Sequence, residues 1–451
     1  MKLWQKSSTS IDKRIEQFTI GQDATLDLVL APYDITGTIA HCIMLESVGL
    51  LTNKELAQLR PALQKLHERV KQEGFEIEDG IEDVHSQVEL MLTRELGDVG
   101  KKVHSGRSRN DQVLVDLRLY FRDELQQVVL DLLNLFDRLQ ELSEQHQDVL
   151  LPGYTHTQVA MPSSFGLWFG AYAESLTDDM QLLLAAYRVV NQNPLGSAAG
   201  YGSSFPLNRR LTTQLLGFEE LNYNVVYAQM GRGKTERTVA FGLSTVAATL
   251  GKMADDICWY VSQNFQFIRF PDHLTTGSSI MPHKKNPDVF ELIRAKCNQL
   301  HSLPNQIALV TTNMISGYHR DWQVLKEGLF PAFGQLKDCI SILEYALQHI
   351  SVNEQIMKDD RYRYLFTVER VNEKVLEGKA FRDAYKEVGE EIGNGTYKPS
   401  SKVNHTHEGS IGDLQTDAIA KKMEKIVAQF DFEKADQALQ VLLTQNGNGK
   451  K

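Results

Sequence analysis

Ser278 and Ser279 stand a few residues ahead of Lys284, Lys285 and Asn286 in Gly277–Pro287, which reads Gly-Ser-Ser-Ile-Met-Pro-His-Lys-Lys-Asn-Pro. A hydroxyl held beside fixed positive charge gives up its proton more readily, which is what a catalytic alkoxide needs. Gly277 and Pro287 bound the stretch and Pro282 interrupts it, so it is expected to be a loop between two apolar runs. Pro287, Asp288 and Glu291 read as the first turn of a new helix. That sets the two lysines and Asn286 just before a helix N-terminus, where free N–H groups and the dipole favour an anion. Taken alone, the same residues also describe a polar connection with a basic tip.

Two more polar loops carry groups of complementary chemistry. His104–Asp111, His-Ser-Gly-Arg-Ser-Arg-Asn-Asp, offers the forked donors of Arg107 and Arg109 together with Ser108 and Asn110. Pro152–Gln158, Pro-Gly-Tyr-Thr-His-Thr-Gln, is a proline-bracketed loop that places His156 between Thr155 and Thr157. Earlier, Glu82-Asp-Val-His opens a helix at His85.

The elements that must position these loops are long helices. Asp111–Gln147 has neither Gly nor Pro, and Val113, Leu117, Leu125, Val128, Leu132, Leu135, Leu139 and Leu142 recur at helical spacing. Such a helix spans ~55 Å and needs partners of similar length to cover its stripe. Ser163–Gln192, Thr235–Phe267, Pro287–Leu303 and Trp322–Ile350 supply them, with Pro331 as a kink or pause in the last. The small-residue loop Asn193–Gly200 is expected to let backbone approach a ligand or another chain. Long helices joined by short polar loops predict an all-α chain in three parts. A mostly helical N-terminal domain covers 1–108, a central long-helix bundle 109–357, and a small C-terminal helical domain 358–451 that ends in a mobile tail, Asn446–Lys451.

Taken together, the three loops resemble the fumarase/aspartase superfamily. His104–Val113 and Pro152–Gln158 are similar to its argininosuccinate lyase branch, and Gly277–Asp288 has that branch's form of the superfamily signature loop. Tyr318, Gln323 and Lys326 in Tyr-His-Arg-Asp-Trp-Gln-Val-Leu-Lys make a fourth match. The resemblance spans nearly the whole chain. It implies a homotetramer whose active sites each draw on three subunits, and reversible β-elimination of argininosuccinate to arginine and fumarate without a cofactor. It implies Ser278 as the base at carbon, and His156, paired with Glu291, at the departing guanidinium. Lys284 and Asn286 would hold the doubly charged aci-carboxylate, and Arg109 and Asn110 would orient the succinyl carboxylates. Thr155, Tyr318, Gln323, Lys326, Ser108 and His85 complete the expected substrate-binding set.

Composition narrows the alternatives. A net charge of -10 argues against nucleic acid as a partner. Cys42, Cys258, Cys297 and Cys339 are widely spaced and read as reduced thiols in a cytoplasmic protein. No dinucleotide, Walker or zinc motif occurs, which speaks against a nucleotide cofactor or a structural metal. Met1–Arg14 has no apolar core for a signal peptide, and no apolar run approaches the ~20 residues that span a bilayer. Phe18–Leu30 departs from the branch's usual pattern where a substrate-contacting Ser is expected, and Thr238 stands where an Asp is usual. These departures leave room for an N-acylated argininosuccinate. Adenylosuccinate cleavage, a catalytically silent crystallin-like tetramer and an anion-binding scaffold without chemistry are the rival readings.

Overall fold

The computed structural model describes residues 12–399 and 403–444. The tail Asn446–Lys451 lies outside the described residues.

The helix Arg109–Gln145 sets the long dimension. Ser108 caps it, and a reciprocal bond from the Ser108 backbone to Asp111 completes a capping box. Of the stripe residues named above, all but Val113 are buried. Phe165–Val190 runs antiparallel beside it. Gly170 lies against Ser143 at the start of that pairing, and Arg118 bonds to the Val189 carbonyl at its end. Lys234–Tyr260 is antiparallel to Phe165–Val190 in turn, with Thr249 bonded to Asp179 and Asp256 to Trp168 and Tyr172. Asp288–Leu300 and Leu325–Leu347 close the bundle. Tyr120 lies 4.6 Å from Phe330 between ring centroids, so the last helix packs directly on the longest one. Pro331 sits inside Leu325–Leu347 without ending it.

The first half of the Arg109–Gln145 helix serves two cores. Leu117, Tyr120 and Phe121 face the bundle. Val115 and Leu119 face a second cluster formed by the helices Ala31–Ser47, Asn53–Glu73 and Val84–Leu96. Residues beyond 358 are shared among three places. Val371, Ala384, Val388 and Tyr397 form a small cluster of their own. Thr416–Val427 lays Ile419, Met423 and Ile426 into the bundle core, and Phe432–Thr444 sends Leu442 into the N-terminal cluster. Each of these short helices has only a narrow apolar stripe, and a larger neighbour covers it.

Strands are minor and occur, among the described residues, as four two-stranded pairs. The longest corrects the loop expected at Pro152–Gln158. Leu150–Thr155 and Gln158–Ser164 form an antiparallel hairpin with Pro152 opposite Pro162. A two-stranded ribbon tolerates prolines because each strand has a free edge for the missing donor. Gly153 is required there, since a Cβ would lie 2.7 Å from the Met161 carbonyl oxygen.

Among the described residues one stretch, Asp27–Ser47, is long and apolar enough to cross a membrane, which the sequence pattern did not suggest. Of its most apolar window, 72% is buried inside the protein, so its apolar surface is spent on the core.

Candidate active site

A cavity of about 340 Å³ opens where the Arg109–Gln145 helix begins. His85, Arg109, Asn110, Tyr318, Gln323 and Lys326 all line it, so the structure brings together six groups separated by up to 241 positions in sequence. Arg109 and Asn110 are the first two residues of their helix, which aims its free N–H groups at this end. Tyr318 stacks edge-on against Trp322, and Gln323 and Lys326 follow on the short turn Arg320–Val324 and the start of Leu325–Leu347.

The cavity also holds groups that the sequence pattern did not single out: Asp23, Asp27, Glu82, Arg232 and Arg320. Glu82 bridges Arg109 at 3.0 Å and Arg320 at 3.1 Å, while Asp83 lies 3.1 Å from Arg109. Lys326 is gripped by Asp23 and Asp27, each at 2.6 Å. Burial pushes Asp23 up to about 6 even though the Lys326 charge pulls it down. Arg232 is tied to Glu236 at 2.7 Å. Gln323 donates to the carbonyls of Thr19 and Ile20, which straps the N-terminal segment across the cavity.

His85 is buried with Asp34 at 2.8 Å and Asp116 at 3.6 Å from Nδ1. Burial alone would depress the imidazole, but the two carboxylates outweigh it and raise His85 to about 9. These three residues also have a spacing that suits a metal ion. The short Nδ1–Asp34 hydrogen bond accounts for their geometry as a charged pair. A histidine raised from its ordinary value of ~6.5 favours the folded state fully below that value, and loses the benefit as pH rises through about 9. The unfolding midpoint in urea is expected to fall as pH rises from ~6.5 through about 9, and to fall less steeply in His85→Gln.

Two groups expected at the ligand are used elsewhere. Ser108 spends its hydroxyl on the helix cap, accepting from the Asn110 N–H. Arg107 turns inward to Thr38 and is buried. The small-residue loop Asn193–Gly200 meets an internal anion, because Gly196 and Ala198 donate to the Asp111 carboxylate.

The remaining loops lie at the other end of the molecule. Thr155 ends the first hairpin strand, and His156 and Thr157 form its exposed tip after the C-terminus of the helix that starts at Arg109. The helix has 37 residues, so ~55 Å separates its two ends. Ser278 lies in the tip of a second small hairpin, in which Thr276–Gly277 pairs with Lys285–Asn286. Its hydroxyl accepts from the N–H groups of Ile280 and Met281, and Lys284 is exposed on the same hairpin. Asn286 lines a separate cavity with Lys285 and Phe290. Glu291 is exposed on the first turn of Asp288–Leu300, one residue later than the helix start expected at Pro287. Among the described residues no hydrogen bond or ion pair joins Glu291 to His156 within the chain.

The hairpin tip is strained. His156 and Thr157 have φ of 53° and 60°, which is the mirror-image turn that glycine and asparagine prefer. A β-branched residue in this region costs ~1–2 kcal/mol, and glycine gives back part of that through chain entropy. Thr157→Gly is therefore expected to raise stability by roughly 0.5–1 kcal/mol in a urea melt while lowering activity, because the tip that carries His156 loses its fixed geometry.

The chain that builds this bundle, with an ion-paired cavity at one end and two polar hairpins at the other, matches the model of a family described as Lyase over residues 6–301. A class II fumarase from Schistosoma mansoni has this fold with a TM-score of 0.69, at 15% identity over 94% of both chains. An EDDS lyase variant with bound fumarate has it with a TM-score of 0.75, at 22% identity over 96% of this chain and 94% of that one. The argininosuccinate lyase of Parabacteroides distasonis is 59% identical over 98% of this chain and 99% of its own length. The chain belongs to the argininosuccinate lyase family within the fumarase/aspartase-like lyases.

Proposed function

We infer that the chain is a carbon–nitrogen lyase that splits argininosuccinate into arginine and fumarate. The observation that carries this reading is the gathering of Arg109, Asn110, Tyr318, Gln323 and Lys326 around one cavity in a chain of this family.

The reaction removes a proton from the carbon beside one succinyl carboxylate and expels the guanidinium nitrogen from the neighbouring carbon. The bonding pair left by the proton becomes the new double bond, and the departing nitrogen takes up a proton. Charge accumulates on the carboxylate in the intermediate, so donors placed where it develops do most for the rate. Arg109 and Asn110 orient the succinyl carboxylates, while Tyr318, Gln323 and Lys326 hold the amine half. Ser278 takes the carbon proton, Lys284 and Asn286 bind the aci-carboxylate, and His156 serves the leaving nitrogen with Glu291 setting its tautomer. Thr155 contacts substrate from the hairpin.

These last groups lie a helix length from the cavity of their own chain. The reading therefore includes a homotetramer in which neighbouring subunits carry their hairpins to one another's cavities. Exposed Leu182 and Phe241 on the central helices support it, since such side chains gain by being covered. The same reading places the enzyme in the cytoplasm.

Fumarate release, followed by its ultraviolet absorbance with argininosuccinate and adenylosuccinate in parallel, tests the assignment. Turnover of argininosuccinate alone is expected. Silence on it from tetrameric protein would sink the reading.

A further inference from the structure

Lys326 lies between two carboxylates, and it needs only one. Asp27 sits 2.6 Å from its ammonium with 6% of its side chain exposed, which fixes Lys326 from within the core. Asp23 lies at the same distance but is more open, at 21%, and lines the cavity. The next cation, Arg232, is held by Glu236 and by the Trp322 carbonyl. Around Lys326 itself two carboxylates face one cation, while the neighbouring Arg232 and the buried Arg118 face Glu236. Burial keeps Asp23 uncomfortable as an anion even beside Lys326, and another cation against it would relieve that.

An ammonium and a carboxylate side by side, 2.6 Å apart, match the head group of an α-amino acid, which carries the opposite pair on one carbon. Elsewhere in the cavity Asn110 at a helix N-terminus, and Arg109 and Arg320 from their pairing with Glu82 and Asp83, are the donors for the succinyl carboxylates.

We propose that Asp23 is a specificity-determining residue that receives the α-ammonium of the amine half, so that the cavity accepts argininosuccinate and rejects an Nα-acylated form. The proposal rests on the lyase reading above and sharpens it. Acylation would remove the ammonium charge, leave Asp23 unpaired toward the ligand, and set an apolar group against a carboxylate. Lys326, whose ammonium has a third N–H beyond those that Asp23 and Asp27 take, would serve the α-carboxylate.

The test uses the purified full chain with argininosuccinate and its Nα-acetyl derivative, and calorimetric binding of L-arginine and Nα-acetyl-L-arginine. Wild type is expected to favour the free amine by at least ~100-fold in kcat/KM. Asp23→Asn is expected to lower kcat/KM for argininosuccinate by about 30-fold, mainly through KM, and to leave the acetyl derivative within roughly threefold. Asp27→Asn, which removes the buried partner of Lys326, is expected to weaken both substrates alike, as a purely structural role would. An equal loss on both substrates in Asp23→Asn, or no loss on either, overturns the proposal. So does a wild type active on both substrates with equal kcat/KM, which leaves the lyase reading intact. If wild type turns over neither but binds L-arginine in an Asp23-dependent way, the lyase reading falls and the amino-acid head site stands.

Discussion

Ser278→Ala is expected to lower kcat on the order of 10³-fold while KM changes less than about threefold. The division follows from where the groups lie. The side chains proposed to grip the ligand in the ground state, Arg109, Gln323 and Lys326 among them, line a cavity to which Ser278 of the same chain does not contribute. Removing a group that acts only as charge develops raises the barrier without loosening the substrate. The fold should not register the change. Ser278 lies in a partly exposed loop, and its hydroxyl accepts two N–H bonds of 3.1 and 3.4 Å, whose loss costs about 1 kcal/mol at most because water can replace it. Steady-state kinetics by fumarate absorbance, with a melting curve as control, give the answer. Wild-type turnover in Ser278→Ala would remove the residue from the mechanism.

The helices were legible because their apolar spacing is long and unbroken, and Arg109 and Asn110 were legible because they directly precede the longest run. The partners of those residues were not. Asp27 and Lys326 are 299 positions apart, and nothing local marks Asp23 or Asp27 as anything but helix-terminal acids. Glu82 read as part of a helix start, although it bridges two arginines from different elements. An ion pair between distant segments leaves no periodic trace, so a sequence pattern finds the cations of a site before it finds the carboxylates that hold them. The hairpin at Leu150–Ser164 was missed for another reason. Its prolines argue against a strand, and its tip, His156-Thr157, lacks the glycine or asparagine that usually announces such a turn. Ser108 shows the converse, since a serine before a helix is explained first by the cap it makes.

Mixing two inactive variants should restore activity. In the shared-site tetramer proposed above, Arg109→Met disables the cavity end of the chain and Ser278→Ala the hairpin end, and each variant alone is expected to fall to below about 1% of wild-type turnover. The helix from Arg109 to Gln145 spans ~55 Å between the cavity end and the hairpin end, so on that proposal the two groups at one substrate come from different subunits. When the variants are unfolded together and reassembled in equal amounts, a site is whole if its cavity comes from a Ser278→Ala chain and its serine from an Arg109→Met chain. Each condition holds half the time, so about a quarter of wild-type activity should return. The recovery should need reassembly, because folded tetramers of the two kinds that do not exchange subunits would stay silent when mixed. It should also vary with the mixing ratio as the product of the two fractions, with its maximum at equal amounts. Activity that never exceeds that of the single variants would mean that each site is built from one chain, and the ~55 Å separation would then require a bundle that closes on itself in solution.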